Sequence, residues 1–528
     1  MASVMYRKKA VTALIAFLVF LCLLLGAALI WHLTSVSPET ADAERSSADG
    51  GELIPSETDI SQPDIPVQPG MVRGKVLTDS GAMLPCGIIV EDEQGYVFRA
   101  VTNALAGYNL SLAPGSYTLT FTRGAEYSHI IKEVTVESYK VNYLQDVRLV
   151  RLYDPFSRGW IPGDLHQHSF YSDGADGVYE LLLSNISCGL RFGFLSDHNS
   201  ARGLAEWLQG NHIVADIDAA GQSSAFGAYE AVEVTTEFGH YQSLGVGLTF
   251  DTYEVMLRDI ERSRTGEEKD DIIKSKIRYI AETIRREGGI AQINHPYSSN
   301  TLGFPYWELA DCFDTIEIWN GVFHPGDGRY EPEKTSEQGQ NYRSKLKWFE
   351  LLNEIRNGGK FIAATGGTDN HTAASPYKRG QKAQEMSDIQ QYKERYEQSG
   401  KYSGVPTTYV NCRGDFNQSN ILAALKEGHS FVSNGIVVLA DINGSTYGDT
   451  AALDSTVILS MELFCRDGLE AVSIVKNGEA IIDLKLDPGT VNYGDEIALT
   501  GLAAGDWIIL EVFGEGCLYA ITNPIFFK

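Results

Sequence analysis

Hydrophobic and polar positions follow two different periods along this chain, and the changes of period divide it into parts. Between about residues 151 and 435, a stretch with helical spacing runs four times into glycine and then into a short apolar strand. The most regular round is DDIIKSKIRYIAETIRREGG before IAQIN; the others are YELLLSNISCGL before RFGFLS, KWFELLNEIRNGG before KFIAAT, and ILAALKEGH before SFVSNG. Helices that alternate with strands in this way predict parallel strands, here those of a β/α barrel.

A period of two residues dominates on both sides of this region. Residues 71–150 contain short runs such as VRGKVLTDSG, GIIVEDEQG and SYTLTFTRG, and residues 436–528 contain STVILSMELFC and DWIILEVFG. Both patterns predict small β-sandwiches. The first resembles carboxypeptidase-regulatory or transthyretin-like modules through the stretch APGSYTLTFTRG, and it would act as a spacer or bind carbohydrate.

The N-terminal pattern is typical of a membrane anchor. A basic segment, RKK, precedes an apolar run from Ala10 to Trp31, which is long enough to span a bilayer because about 20 apolar helical residues suffice. We expect residues 1–33 to form an uncleaved transmembrane signal anchor with its N-terminus in the cytoplasm. Residues 34–70, rich in Ser, Asp, Glu, Pro and Gly, predict a disordered linker. The expected location is the cell membrane, single-pass, with the catalytic domain extracytoplasmic.

Composition excludes several classes of protein. With 528 residues, 43% of them hydrophobic, the chain is long enough for one large and two small folded domains. A formal net charge of −26 and a pI near 4.8 make nucleic acid a poor partner, because an acidic surface repels a polyanion. The seven cysteines contain no CxxC pair and predict neither a disulfide framework nor a zinc knuckle.

Side chains that bind metal ions recur where the predicted strands end. In GDLHQHSFYSDGADG, His166 and His168 are two residues apart on an extended segment, so their imidazoles point to the same side. In EVTTEFGH, Glu233 is preferred to Glu237 because it falls where the strand should point inward. The candidate metal ligands are His166, His168, Asp173, His198, Glu233, His240, His295, Asp369 and His371. Six of the chain's 11 histidines belong to this set, which predicts a multinuclear metal site.

This ordered set resembles the PHP (polymerase and histidinol phosphatase) superfamily of metallohydrolases. The HxH followed by SDG, the Asp197–His198 pair in SDHNS, and TDNH match the family's motifs, and GHSFVSNG and AITNPIFF are similar to the CehA/McbA-like branch. The resemblance implies an α/β fold with a distorted (β/α)7 TIM-like barrel, flanked here by the two β-sandwiches, and two to three divalent metal ions. The implied ligand sets are His166, His168, Glu233 and Asp369 for one ion, Glu233, His240 and His295 for a second, and Asp173, His198 and His371 for a third.

The resemblance also implies a metal-dependent hydrolase, most specifically a phosphoesterase, in which a metal-activated hydroxide attacks the ester. Asp369 is expected to accept the proton and to form the catalytic set together with His198 and His371. Imidazole and carboxylate ligands without thiolates suit Zn, Mn or Fe. Arg202 and His324 are candidate substrate contacts, and the substrate is expected to be a small-molecule or envelope-derived ester.

Two alternatives remain open from the sequence. The same site would also serve a carbamate, carboxylic ester or amide hydrolase. In a different class, the chain would be a cell-envelope binding module whose metals are structural, although structural sites are usually closed and hold one ion with four ligands.

Overall fold

The computed structural model of the protein describes residues 68–217, 222–251, 266–298, 303–326, 337–372, 403–453 and 456–528. These ranges belong to one compact unit, residues 66–528. No helix within them is long and apolar enough to cross a membrane. The predicted anchor at residues 1–33 and nearly all of the predicted linker lie outside the described residues.

Eight short strands build the N-terminal part: β1 Gly70–Thr78, β2 Gly87–Asp92, β3 Val97–Val101, β4 Gly107–Leu112, β5 Gly115–Thr122, β6 Ile130–Val136, β7 Val141–Tyr143 and β8 Val147–Leu149. They form two four-stranded sheets, one with β1 paired to β4, β7 and β8, the other in the order β3-β2-β5-β6. Strand β4 shows why they pack: Tyr108, Leu110 and Leu112 are buried and the residues between them are exposed. Residues of both sheets share one hydrophobic core.

The central part contains the strands and helices that the sequence pattern predicts, together with several short strands. Its strands are β9 Trp160–Asp164, β10 Phe192–Leu195, β11 Val214–Ile217, β12 Ser223–Ala225, β13 Gly227–Glu230, β14 Glu233–Thr236, β15 Gly239–Leu244, β16 Ile290–Ile293, β17 Thr315–Asn320, β18 Ala363–Gly367 and β19 Thr407–Asn411. Its helices are α1 Val178–Ser187, α2 Leu204–Trp207, α3 Glu267–Arg286, α4 Glu337–Glu354 and α5 Gln418–Glu427.

Helix α3 shows how local sequence sets these elements. Ile273, Ile277, Ile280 and Ile284 are spaced by three or four residues and form one buried face. Acidic residues occupy the first turn and arginines the last, which suits the helix dipole. Gly288 follows the helix with a φ of 92°, a left-handed conformation that ends the helix before β16.

The fold is a mixed, strand-rich α/β arrangement with a curled sheet. Strands β9, β10 and β13 are parallel to one another, and so are β16, β17 and β18. Strand β15 is antiparallel to both β14 and β16. Thr236 pairs with Gly239 across a tight turn, which leaves no room for the crossover helix that a parallel connection needs.

The regular strand pairing therefore does not close the predicted TIM-like (β/α)7 barrel. Two series of strands remain, β13-β10-β9 and β14-β15-β16-β17-β18, each in its own sheet. Two isolated parallel bridges join them where they meet, Gln167 with Asn370 and His198 with Glu233. The backbone hydrogen bonds there include those from His168 N to Asn370 O at 2.9 Å and from Asn199 N to Glu233 O at 2.9 Å. Both junctions lie at residues of the candidate site.

The C-terminal strands continue the sheet that contains β9. They are β20 Ser430–Ser433, β21 Ile436–Ile442, β22 Thr450–Ala451, β23 Val457–Lys476, β24 Glu479–Leu499, β25 Trp507–Gly514, β26 Leu518–Thr522 and β27 Ile525–Phe527. Strand β19 is antiparallel to β9, and β20 is antiparallel to β19 and to β26. The fourth helix-strand round, α5 with β20, is thus not a parallel βα unit, and it leads into the C-terminal strands.

Candidate metal centre

The structure brings together all nine residues that the sequence singles out as metal ligands. They form four groups, each with its imidazole nitrogens and carboxylate oxygens within 4.8 Å of one another. The groups are His168, Asp173, His198 and His371; His166, His168 and Glu233; His166, His295 and Asp369; and His198, Glu233 and His240. His240 thus belongs to a group with His198, and His295 to a group with His166. The family resemblance instead implied that His240 and His295 bind the same ion.

Strand ends create this concentration of ligands. His166, His295 and Asp369 each lie two residues beyond a strand, after β9, β16 and β18 respectively. His198 lies three residues beyond β10. Because these four strands belong to the parallel parts of the two sheets, their carboxyl ends point the same way and deliver the side chains to one place.

Glu233 lies at the middle of the site. Its side chain is fully buried, and its Oε1 lies 3.1 Å from both His240 Nδ1 and His295 Nε2. Its Oε2 lies 2.8 Å from His198 Nδ1 and 3.4 Å from His168 Nε2. A carboxylate whose two oxygens face different histidines is suited to bridge two cations.

Asp369 completes the inner part of the site. Its Oδ1 lies 3.3 Å from His166 Nε2 and 3.0 Å from His168 Nε2. Two donors that bind one cation at about 2.1 Å and at angles of about 90–110° lie about 3.0–3.4 Å apart. The observed separations match that spacing.

A more open group lies beside it. Asp173 places Oδ1 3.2 Å from His371 Nε2 and Oδ2 3.5 Å from His198 Nε2. The side chain of Asp173 is 56% exposed, whereas those of Glu233 and His168 are fully buried. This group of His168, Asp173, His198 and His371, called the open group below, therefore faces solvent and is the more accessible to a substrate.

Hydrogen bonds fix which nitrogen of two histidines remains a ligand. His371 Nδ1 lies 2.8 Å from the carbonyl oxygen of Asp369, which can only accept, so Nδ1 carries the proton and Nε2 keeps its lone pair. His166 Nδ1 likewise donates to Glu317 Oε1, at 3.0 Å, which leaves Nε2 of His166 with its lone pair. A histidine that donates one N–H to a carbonyl or carboxylate is typical of metal sites.

The donor set fits divalent cations. Within the described part of the chain, six buried atoms of the set have no hydrogen-bond partner: His166 Nε2, His168 Nδ1 and Nε2, Glu233 Oε2, His240 Nε2 and His295 Nδ1. His168 Nε2 is unsatisfied although Asp369 Oδ1 lies only 3.0 Å away, because the two atoms do not point at each other. Buried polar atoms without partners are rare, and a shared cation would satisfy these.

Charge supports the same assignment. Burial would raise the pKa of Glu233, but His166 and His240 hold it well below its ordinary range. Burial would likewise raise the pKa of Asp369, which His166 and His168 hold well below its usual value. For His168 burial dominates and lowers its pKa. At neutral pH both carboxylates are therefore ionised. Against the effect of burial, they raise the pKa values of His166, His198 and His295, so this buried cluster favours positive charge, which a divalent cation would supply.

Three residues at the site have left-handed backbone conformations. Asn199, His295 and Asp369 have positive φ angles of 47°, 25° and 50°, although none is glycine. Each is held by its own N–H, which donates to Glu233 O at 2.9 Å, to Glu317 Oε2 at 2.9 Å and to His166 O at 2.8 Å respectively. Strained residues held by such bonds are typical of functional sites.

Buried residues around the ligands hold them in place. Asn294 donates to Glu233 Oε1 at 2.9 Å, and Thr235 Oγ1 lies 2.6 Å from His198 Nδ1. Asp164, whose pKa burial raises to about 6, accepts from the Thr368 hydroxyl at 2.6 Å. Sequence reasoning missed Glu317, which lies inside β17 at 1% exposure. A lone carboxylate within the apolar string TIEIWN was the available signal.

The remaining predicted residues lie around this centre in other roles. Arg202 is exposed and stands over the Tyr171 ring at 5.3 Å. His324 is 3% exposed and stacks on Tyr519 at 4.8 Å. Asp197 accepts two hydrogen bonds at 2.7 Å from Ser169, so it orders the loop after His168.

Glu237 lies in the turn between β14 and β15 and belongs to none of the four groups. His324 likewise belongs to none of the four groups. The substrate-binding roles of Arg202 and His324 stay predictions.

Comparison with known proteins gives remote similarities only. No family model matches the chain, and no curated protein matches it. Among solved structures, the chain is similar to a two-domain protein from Bacteroides vulgatus that contains a predicted PHP-like metal-dependent phosphoesterase. The two are 15% identical, the match covers 69% of this chain and 95% of that chain, and the TM-score is 0.34.

Two further solved structures are similar over shorter stretches. One, from Bifidobacterium adolescentis, is assigned as a metal-dependent phosphoesterase, with 12% identity, 45% and 96% coverage of the two chains and a TM-score of 0.24. The other is an amidohydrolase from Chromobacterium violaceum, with 16% identity, 40% and 87% coverage and a TM-score of 0.25. Similarity at this level assigns neither an activity nor a substrate to the chain.

Proposed function

We propose that this protein is a metal-dependent hydrolase and, within that class, a phosphoesterase of the PHP type, in its CehA/McbA-like branch. The observation that carries the proposal is the convergence of nine imidazole and carboxylate side chains with buried ligand atoms that lack hydrogen-bond partners among the described residues. Two to three ions would fit, because the open group of His168, Asp173, His198 and His371 includes neither Glu233 nor Asp369. The donor set without thiolates suits Zn, Mn or Fe.

The bound ions would supply Lewis acidity and lower the pKa of water toward about 7. The chain's own residues divide the remaining tasks. Glu233, fully buried, holds the inner groups together. Asp369, whose side chain is 25% exposed, is ionised and can accept a proton from an attacking water. His198 and His371 lie on the open side with Asp173, where a substrate oxygen can approach.

The arrangement of the ligand groups supports a phosphate ester as substrate. A phosphoryl group presents several oxygens and suits an open group of donors beside a buried one. Arg202 and His324 stay candidate contacts for the rest of the substrate, which would be a small-molecule or envelope-derived ester. The predicted anchor would hold the catalytic domain at the extracytoplasmic face of the membrane. No nucleic acid partner is proposed, in keeping with the net charge of −26.

Hydrolysis of bis-p-nitrophenyl phosphate by the purified full chain tests the proposal. We expect turnover that chelator abolishes, that added Zn²⁺ or Mn²⁺ restores, and that Asp369→Ala reduces by at least about 100-fold, since a proton acceptor contributes about 10²–10⁴-fold. The matched control is Asp314→Asn, a buried carboxyl at 1% exposure that precedes β17 and should retain activity.

Other outcomes select the alternatives. Cleavage of naphthyl esters, carbamates or amides without phosphodiester turnover would make the protein a carboxylic ester, carbamate or amide hydrolase on the same site. Binding of envelope polymer that survives chelation, with no hydrolysis of any substrate in the panel, would instead favour a binding module with structural metals.

A further inference from the structure

One buried carboxylate touches two candidate ligands that come from different strands. Glu317 Oε1 accepts from His166 Nδ1 at 3.0 Å, and Glu317 Oε2 accepts from the backbone N–H of His295 at 2.9 Å. Its side chain is fully buried. Burial of an ionised carboxylate is unfavourable unless its oxygens are satisfied, and here both oxygens are used.

A third donor ties the same carboxylate to helix α4. Asn320 Nδ2 donates to Glu317 Oε2 at 3.0 Å. The backbone of Asn320 is in turn held by Asn341 of α4, which accepts from its N–H at 3.0 Å and donates to its carbonyl at 2.9 Å. Glu317 is therefore held by Asn320, and through it by Asn341, as well as by the two candidate ligands.

Strand β18 packs closely against Glu317. A Cβ at Gly367 would lie 2.7 Å from Glu317 Oε1 and 2.5 Å from His166 Cβ. Strand β18 thus passes close to Glu317 only because residue 367 is glycine. A larger residue at position 367 would displace both Glu317 and His166.

The two ligands that Glu317 holds belong to one group of the centre. Both group with Asp369, and His166 also belongs to the buried group with His168 and Glu233, whereas the open group of His168, Asp173, His198 and His371 contains neither of them. Asp369 also donates its N–H to His166 O at 2.8 Å, so His166 links the whole inner group to Glu317.

We infer that Glu317 is the positioning residue of one particular ion, the one held by His166, His295 and Asp369. It sets the His166 tautomer so that Nε2 faces the ion, and it fixes the strained His295 backbone. The ion at the open group does not depend on it. The inference deepens the proposed function and rests on it, since it concerns the same centre.

Substitution by glutamine separates this role from packing. Glutamine has the shape of glutamate but offers one acceptor and one NH2 donor. If its oxygen faces His166, its NH2 faces the His295 N–H and the Asn320 amide, which are donors. One of the ligands therefore loses its acceptor, and loss of such a partner typically weakens metal binding about 10–100-fold.

The test is titration of the chelator-treated full chain with Zn²⁺ in competition with a chromophoric chelator. Glu317→Gln should weaken one ion per chain by about 10–100-fold and leave the affinity of another unchanged. Asp314→Asn is the matched control, because Asp314 is equally buried and directly precedes β17. Its partners include Ala291 N at 3.2 Å and Lys360 Nζ at 3.1 Å. The control variant should bind Zn²⁺ as the wild type does.

Asn320→Ala provides a second variant in case Glu317→Gln does not fold. It removes one donor to Glu317 and should weaken the same ion, by a smaller factor. Wild-type affinity for every ion in the folded variants, or an equal loss of all ions, would overturn the inference while leaving the metal centre in place. If the wild type itself binds no Zn²⁺, Mn²⁺ or Fe²⁺, the proposed function fails first, so the two failures are distinguishable.

Discussion

Asp216 is the carboxylate that joins the N-terminal sheets to the central part, and its neutralisation should destabilise the fold. It lies in β11 at 4% exposure and pairs with Arg151 and Arg191 in very short contacts. Arg123 approaches to 3.8 Å, and the Tyr127 hydroxyl donates to Oδ1 at 2.9 Å. Arg123 and Arg151 come from the N-terminal region and Arg191 from the segment before β10, so one carboxylate bridges both.

The magnitude follows from what Asp216→Asn leaves behind. The amide keeps the shape and can still accept from Tyr127, but the buried guanidinium groups of Arg123 and Arg191 and the partly buried one of Arg151 lose their anionic partner. Breaking a buried ion pair by removing one partner typically destabilises by about 3–5 kcal/mol. Burial would raise the pKa of Asp216, yet Arg123, Arg191 and Arg151 hold it below its ordinary value. Its contribution is therefore fully present above pH of about 4 and is lost as pH falls through its folded pKa.

The assay is urea unfolding of the full chain at pH 7, followed by tryptophan fluorescence and circular dichroism. Asp467→Asn is the control, because its carboxylate pairs with Arg466 at 2.7 Å but is 38% exposed and should change stability by no more than about 1 kcal/mol. A loss of less than about 1 kcal/mol for Asp216→Asn would refute the reasoning, as would a difference from wild type that persists undiminished at pH 3.

Two further substitutions test other parts of the structure. Burial raises the pKa of Glu126 from its ordinary 4.5 to about 7. The folded state thus binds the proton more tightly than the unfolded state, and the free energy of unfolding should fall by about 3 kcal/mol as pH rises from 4.5 to 7. Glu126→Gln should flatten this pH dependence in urea unfolding curves measured across that range. Gly367→Ala should destabilise by about 1–3 kcal/mol through overpacking and reduce bound Zn²⁺ by displacing His166. Equal metal content by elemental analysis would contradict this. Gly494→Ala is the control for loss of a strand glycine, because an added Cβ there would meet only Met461 O, at 3.6 Å.

The sequence predicted which residues meet better than it predicted how the strands are arranged. His166, His295 and Asp369 could be found because each follows a short apolar strand, and the carboxyl ends of parallel strands lie together. Neither the direction of a strand nor its partner is written in its own residues. Strand β20 therefore looked like the end of a fourth βα unit, although it pairs antiparallel with β19 and β26.

Two other features were out of reach for related reasons. Glu317 lies inside the apolar string TIEIWN, and its partner His166 is 151 residues away in the chain. The sequence therefore shows an unusual charged residue in a strand but does not show which residue it contacts. The string EVTTEFGHYQSL indicates β-structure, but the tight turn that makes β14 and β15 an antiparallel hairpin is set by the pairing of Thr236 with Gly239. The C-terminal strands were assigned by local alternation, which does not reveal that they extend the sheet of β9.

Metal content of the purified full chain is the most direct test of a centre that Glu233 holds together. Elemental analysis, with anomalous scattering to place the ions, should find two to three divalent ions in the wild type and at least one fewer in Glu233→Ala, since the oxygens of Glu233 lie within 3.5 Å of the ring nitrogens of five candidate ligands. A wild-type chain without bound metal, or a Glu233→Ala chain that retains every ion, would contradict the account.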